Sequence, residues 1–151
     1  MTPRGIRNNN PFNLKRSKNR WLGKVPFELS SDKTFEQFES MDYGVRAGMI
    51  NLCSLIKRCN SLLELVAAYA PASENDVDVY YFSVCNSMRR LGCLFPDYYE
   101  LVSDYFIELC LAIIWHENGR NNSFSVISLR VIFEKFSLRR YVSKAVNRHN
   151  S

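Results

Sequence analysis

The apolar run Leu109 to Ile114 leads without interruption into Trp115-His116-Glu117-Asn118-Gly119. A helix that is apolar on every side is one that a fold buries, and Asn-Gly is a natural stop for it. Glu117 therefore falls on the last turn of the most buried helix. Partial desolvation and the carbonyl end of the helix dipole both disfavour the charged form of a carboxyl placed there. Both effects are expected to raise its pKa, which suits a general acid working near neutral pH. The plainer alternative is a solvated glutamate that happens to precede a cap. His116 either orients Glu117 or packs beside it.

Two other segments carry usable chemistry. Asn8, Asn9 and Asn10 present three successive carboxamides, whose paired donors and acceptors suit sugar hydroxyl or acetamido groups. Asparagine is also a favoured turn residue, so a turn that satisfies its own backbone is equally compatible. In Tyr69-Ala70-Pro71 followed by Ser73-Glu74-Asn75-Asp76, Glu74 is a candidate second carboxylate and Tyr69 a candidate sugar contact. The competing view has Ser73 and Asn75 capping a helix and Tyr69 in the core. His116 and His149 form no HExxH, and the chain lacks a Gly-rich phosphate loop and a GxSxG elbow. Neither metal nor cofactor is expected. Phe133, Lys135, Phe136, Arg139, Arg140 and Tyr141 raise nucleic-acid binding as a third class, although amphipathic helices commonly show the same pattern.

These residues need a scaffold, and 151 residues, nearly half of them apolar, suffice for a real core. The formal charge of +5 is concentrated at the two ends, which favours polyanions: nucleic acid, anionic lipid or bacterial wall. Met1-Thr2-Pro3-Arg4 does not open a signal peptide, and Leu109 to Trp115 is too short to span a bilayer. Synthesis in a cytoplasm is expected, with action at the wall following lysis, virion delivery or dedicated secretion. Five cysteines at irregular spacing, with no CxxC, read as buried free thiols.

Turn residues punctuate 1–34, where a short hairpin is expected, and Thr34 to Glu39 alternates weakly like a strand. Helices are expected over about 41–58 after Ser40, from Asn60 or Ser61 to Tyr69, and over about 75–91. A further helix covers 98–117, and one or two with a basic face cover 124–147. The class is mainly α.

Five blocks in this order resemble small phage and prophage lysozyme-like proteins that lyse peptidoglycan. They are Arg4-Gly5-Ile6-Arg7-Asn8-Asn9-Asn10-Pro11-Phe12-Asn13-Leu14, Trp21-Leu22-Gly23, Phe35 to Ala47, Tyr69 to Asp76, and Ala112 to Gly119. The resemblance implies a lysozyme-like domain over 1–119 (α+β with a small hairpin), with 120–151 a basic helical extension packed on it. Because the Asn-rich block precedes the Glu-bearing helix, the order implies a circular permutation that packs Glu117 beside Asn8 to Asn13. It implies cleavage of the β-1,4 bond between N-acetylmuramic acid and N-acetylglucosamine, as a muramidase or a lytic transglycosylase. Glu117 and Glu74 would be catalytic, while Asn8, Asn10, Asn13, Gln37, Tyr69, Asn75 and His116 would bind glycan. Phe12 stands where the family has Gly and is expected to crowd a turn or the groove floor, and Ala72 replaces a Pro. The competing class is a non-catalytic virion or secretion component that binds wall or a partner. An immunity protein is a further possible partner.

Overall fold

The computed structural model describes residues 1–94 and 96–147. It is mainly α, with 57% helix. The N-terminal third is short of regular structure: α1 (Arg4–Arg7), then irregular chain with a single 3-10 turn at Phe27–Leu29. The expected hairpin and strand shrink to two isolated antiparallel bridges, Lys15 with Phe35 and Lys24 with Phe38. Each bridge keeps a pair of backbone hydrogen bonds, from Arg16 to Thr34 and Glu36 to Leu14, and from Val25 to Gln37 and Glu39 to Gly23, and side chains brace the chain around them. Asp32 accepts from the amides of Thr34 and Phe35 at 2.9 Å. The Asn10 amide donates to the carbonyls of Leu14 and Glu36 at 2.9 and 3.0 Å, and Asn9 donates to that of Phe38 at 3.0 Å.

Asp32 is the hub of this segment. Its carboxylate also accepts from Arg4 at 2.6 and 2.8 Å and from Asn8 at 2.9 Å, and the Arg4 guanidinium lies 4.4 Å from the centre of the Phe35 ring. The hydrogen bonds from Arg4 outweigh burial and hold the Asp32 carboxyl far below the usual carboxylate range. A depressed folded-state pKa contributes stability that is fully present above the unfolded value and is lost only as pH falls toward the folded one. Asp32→Asn is thus expected to lower the thermal midpoint at pH 7, and the gap to wild type should narrow steadily below pH 3.8, the ordinary value. Melting curves across that range would check this, and a gap independent of pH would count against it.

The helices follow their local signals. α2 (Met41–Ile56) begins after Ser40, which has extended backbone there but makes no side-chain cap bond. α3 (Leu62–Tyr69) is capped by Ser61, and α4 (Val77–Arg90) by Asp76. The single helix expected over 98–117 is two: α5 (Tyr98–Ser103) and α6 (Phe106–Asn118). Tyr105, at φ −114 and ψ 27, leaves helical geometry. The break turns α5 onto α8 and buries Leu101 and Val102 there, while α6 runs through the centre against α4 and α7. The last segment divides into α7 (Val126–Lys135) and α8 (Arg139–Asn147), separated by Ser137 at φ +53.

Leu129, Ile132, Phe133, Leu138, Val142, Ala145 and Val146 join the same buried cluster as α2 and α6. Residues 126–147 thus complete the core, and residues 148–151 of the expected extension, His149 among them, lie outside the described residues. Four cysteines are buried and Cys85 half-buried, all of them free. No described helix is long and apolar enough to cross a membrane.

Candidate functional site

A cleft of about 550 Å³ opens between the N-terminal segment, α2 and the α3–α4 turn, with Glu117 among its lining residues. Because α6 ends there, the last turn of an otherwise buried helix presents a half-buried carboxylate. Each of its oxygens has a donor. Asn13 Nδ2 donates to Oε1 at 2.7 Å, and the Tyr80 hydroxyl donates to Oε2 at 2.8 Å. A carboxylate has lone pairs for about four such bonds, so each oxygen keeps acceptor capacity for a ligand.

The juxtaposition that block order implied is present: Asn13 reaches Glu117 across 104 positions of sequence. The next residue strengthens it. Asn118 is buried and donates to the carbonyls of Pro11 at 2.7 Å and Ile114 at 2.9 Å, tying the N-terminal loop to the end of α6. With their NH₂ groups committed, the amide oxygens of Asn13 and Asn118 are buried without a hydrogen-bond partner among the described residues. Both face Gly5, where an added Cβ would lie 2.8 and 2.5 Å from them. Only a glycine leaves room for them.

Two phenols back the carboxylate. Tyr69 lines the cleft and donates from its hydroxyl to the carbonyl of Phe12, and its ring meets that of Tyr80 edge-on with centroids 6.2 Å apart. Burial, with the neighbouring Glu117 charge, pushes both phenols well above 10, so they remain protonated donors at neutral pH. His116 lies on the far side, its ring centroid 3.8 Å from that of Tyr80. Burial lowers its pKa, opposed in part by Glu117, so the ring is neutral at pH 7.

Several expectations need correcting. Asn8 and Asn10 are buried and spent on the scaffold: Asn8 on Asp32 and Gln37, Asn10 on Leu14 and Glu36. Gln37 bonds Asn8 at 2.9 Å and Ser31 at 2.6 Å, and is not part of the cleft wall. His116 is likewise absent from that wall. Asn13, Tyr69, Glu74 and Asn75 do line it. Phe12 is among the residues at the cleft floor, but its side chain is 1% exposed and its ring packs down on Gly48 of α2, which has no side chain to obstruct it.

Glu74 stands at the cleft wall with its side chain half-exposed, paired with Lys15 from the facing wall. Asn51 of α2 also lines the cleft. Tyr80, Lys15 and Asn51 were not singled out from sequence. Tyr80 had the only usable signal, a tyrosine on the core face of an amphipathic helix, whose hydroxyl needs a partner when buried.

Tyr80→Phe leaves Glu117 Oε2 without its hydroxyl donor. A hydrogen bond to a charged group contributes about 1.5–3 kcal/mol, so urea unfolding is expected to show a loss in that range with unchanged slope. A variant as stable as wild type would mean that water replaces the hydroxyl without cost.

Fold and site together define a helical domain with one core and an acidic cleft, its glutamate held by amide and phenol donors. The chain belongs to the family of Protein P5 of Pseudoalteromonas phage PM2. It is 33% identical to that protein over 123 residues, covering 78% of this chain and 72% of the phage protein. No family model matches the chain.

Proposed function

We propose that this protein cleaves peptidoglycan glycan strands at the N-acetylmuramic acid–N-acetylglucosamine β-1,4 bond, with Glu117 as proton donor. The observation that carries the reading is the Glu117 carboxylate at the wall of an open cleft, fixed in direction by Asn13 and Tyr80. An acid with a fixed direction is what protonation of a leaving oxygen requires. In this reading the chain has a lysozyme-like fold in permuted order, which the closeness of residues 9–13 to the end of α6 supports. Apolar Leu14, Leu55 and Ala68 beside polar Asn13, Asn51 and Asn75 suit a sugar, which has apolar faces and a polar rim.

Glycosidases with two carboxylates place them at a defined separation. Glu74 is the candidate partner, and its half-exposed side chain pairs with Lys15 at the cleft wall. In the mechanism with one glutamate, Glu117 gives its proton to the leaving oxygen and then withdraws one from the 6-hydroxyl of the muramic residue, which closes on its own anomeric carbon. In the mechanism with two, Glu74 assists the attack of water. Mass spectrometry of soluble products from isolated peptidoglycan tests this. Anhydromuramic ends support the transglycosylase, reducing muramic ends a hydrolase with Glu74 or water in play, and absence of products defeats both.

A non-catalytic, glycan-binding reading has one observation in its favour. Both Glu117 oxygens already bond within the protein, as a purely structural link between loop and helix would have them. Wall binding without products would select that reading.

A further inference from the structure

The C-terminal helices carry a surface that the cleft does not use. Between Arg120 and Asn147 the chain has Arg120, Arg130, Lys135, Arg139, Arg140 and Lys144 against a single acid, Glu134. Lys135 is engaged by Asp42 at 2.7 Å. Arg130 and Arg139 are exposed, and neither has a salt bridge among the described residues. They share a concavity of about 190 Å³ whose wall includes Ser103, Asp104 and Phe133. The Arg139 guanidinium lies 5.3 Å from the centre of the Phe133 ring, which holds it at the surface. Asp104 is the one acid in that wall and Glu134 the one acid on the outer side of α7, so positive charge dominates.

Beside the concavity, α7 exposes two aliphatic side chains. Ile127 is 78% and Val131 62% exposed, and they stand one turn apart, with Arg130 between them in sequence. Residues four apart on a helix share a face, so the two form a short apolar ridge, flanked by Arg130 and Lys135 and with exposed Glu134 one turn beyond Arg130 on the same face. We infer that this face of α7 and α8 docks on an anionic lipid surface, Arg130 and Arg139 holding a headgroup phosphate while Ile127 and Val131 enter the acyl boundary. Charge complementarity picks out the anionic surface, since basic side chains are drawn to anionic headgroups. The ridge picks out lipid over nucleic acid. Phosphate contacts along a nucleic-acid backbone use cations and polar donors, whereas β-branched aliphatics beside cations fit a headgroup layer that covers hydrocarbon. With no membrane-crossing helix among the described residues, the association is peripheral.

The test is sedimentation of the full chain with vesicles of phosphatidylcholine alone, and of phosphatidylcholine and phosphatidylglycerol in equal parts. Binding is expected to the mixed vesicles only. Arg130→Gln with Arg139→Gln should weaken it about thirtyfold, each cation near an anionic surface contributing roughly a factor of five. Ile127→Ser with Val131→Ser leaves the charge unchanged and should weaken binding about tenfold, through lost apolar burial. All four positions are exposed, and unchanged melting curves would verify that the variants fold. Duplex DNA and inorganic phosphate serve as comparison probes. Failure to bind mixed vesicles would overturn the inference. So would binding that the serine pair leaves untouched, or DNA retention that exceeds vesicle binding and ignores the serine pair, since each leaves the ridge without a role.

Discussion

Glu117→Gln is expected to reduce the release of soluble fragments from peptidoglycan by about 10³-fold, within the range over which a positioned general acid acts. The substitution keeps the shape of the side chain and removes the transferable proton. It should not unfold the protein. Asn13 and Tyr80 both donate to the native carboxylate, and a glutamine offers one oxygen where the carboxylate offers two. One of the two donors therefore faces an NH₂ group, at a cost of about 1 kcal/mol. Glycan binding should persist, because the cleft wall from Asn51 to Asn75 is unaltered. Product analysis alongside a pull-down on insoluble wall separates the outcomes. Loss of products with retained binding supports Glu117 as the proton donor. Equal release by both proteins would falsify that role. Loss of binding as well as products would indicate that the glutamate serves mainly to hold the loop.

The largest expected effect on stability comes from Gly44→Ala, far from any chemistry. A Cβ at Gly44 would overlap the backbone carbonyl oxygen of Asn9. A side-chain neighbour could rotate away, but this one is main chain in a segment already fixed at both ends. Asn9 has φ +52, and Asn10 is anchored to Leu14 and Glu36. The loop must lift from α2 as a unit, and it takes Asn13 and Pro11 from the end of α6 with it. A loss of about 4 kcal/mol, the upper end for one substitution, is expected by urea unfolding. Gly92→Ala is the comparison. None of the described residues lies within 4 Å of a Cβ there, and its φ of +88 is unfavourable, so a cost of about 1 kcal/mol is expected. Similar losses at the two glycines would show that backbone conformation, and not the close approach of Asn9, sets the penalty.

What could be read along the chain was local. The start of α3 lies where Ser61 offers an oxygen to the Glu64 amide, while before α4 the cap is Asp76 in place of the expected Ser73 or Asn75, and before α7 it is Ser125, which was not singled out. The placing of Glu117 at the end of the buried helix was equally visible, because an apolar run and a Gly stop are properties of neighbours. The division of 98–118 was not visible. Asp104-Tyr105 carries no breaker, and the turn exists because α5 finds α8, whose sequence begins 35 residues further on.

The asparagines show the limit most clearly. By composition Asn8, Asn10 and Asn13 are equivalent donors for a sugar, yet only Asn13 lines the cleft, while Asn8 and Asn10 are consumed by Asp32, Leu14 and Glu36. The difference is one of direction. The left-handed backbone at Asn9 and Asn13 turns successive side chains to opposite sides, and the seating of Asn9 on Gly44 decides which side faces the core. The sequence alone determined which groups were available and where the helices begin. Only the tertiary structure decided which of those groups meet Glu117, because that depends on contacts between segments far apart in sequence, 104 positions for Asn13 and 37 for Tyr80.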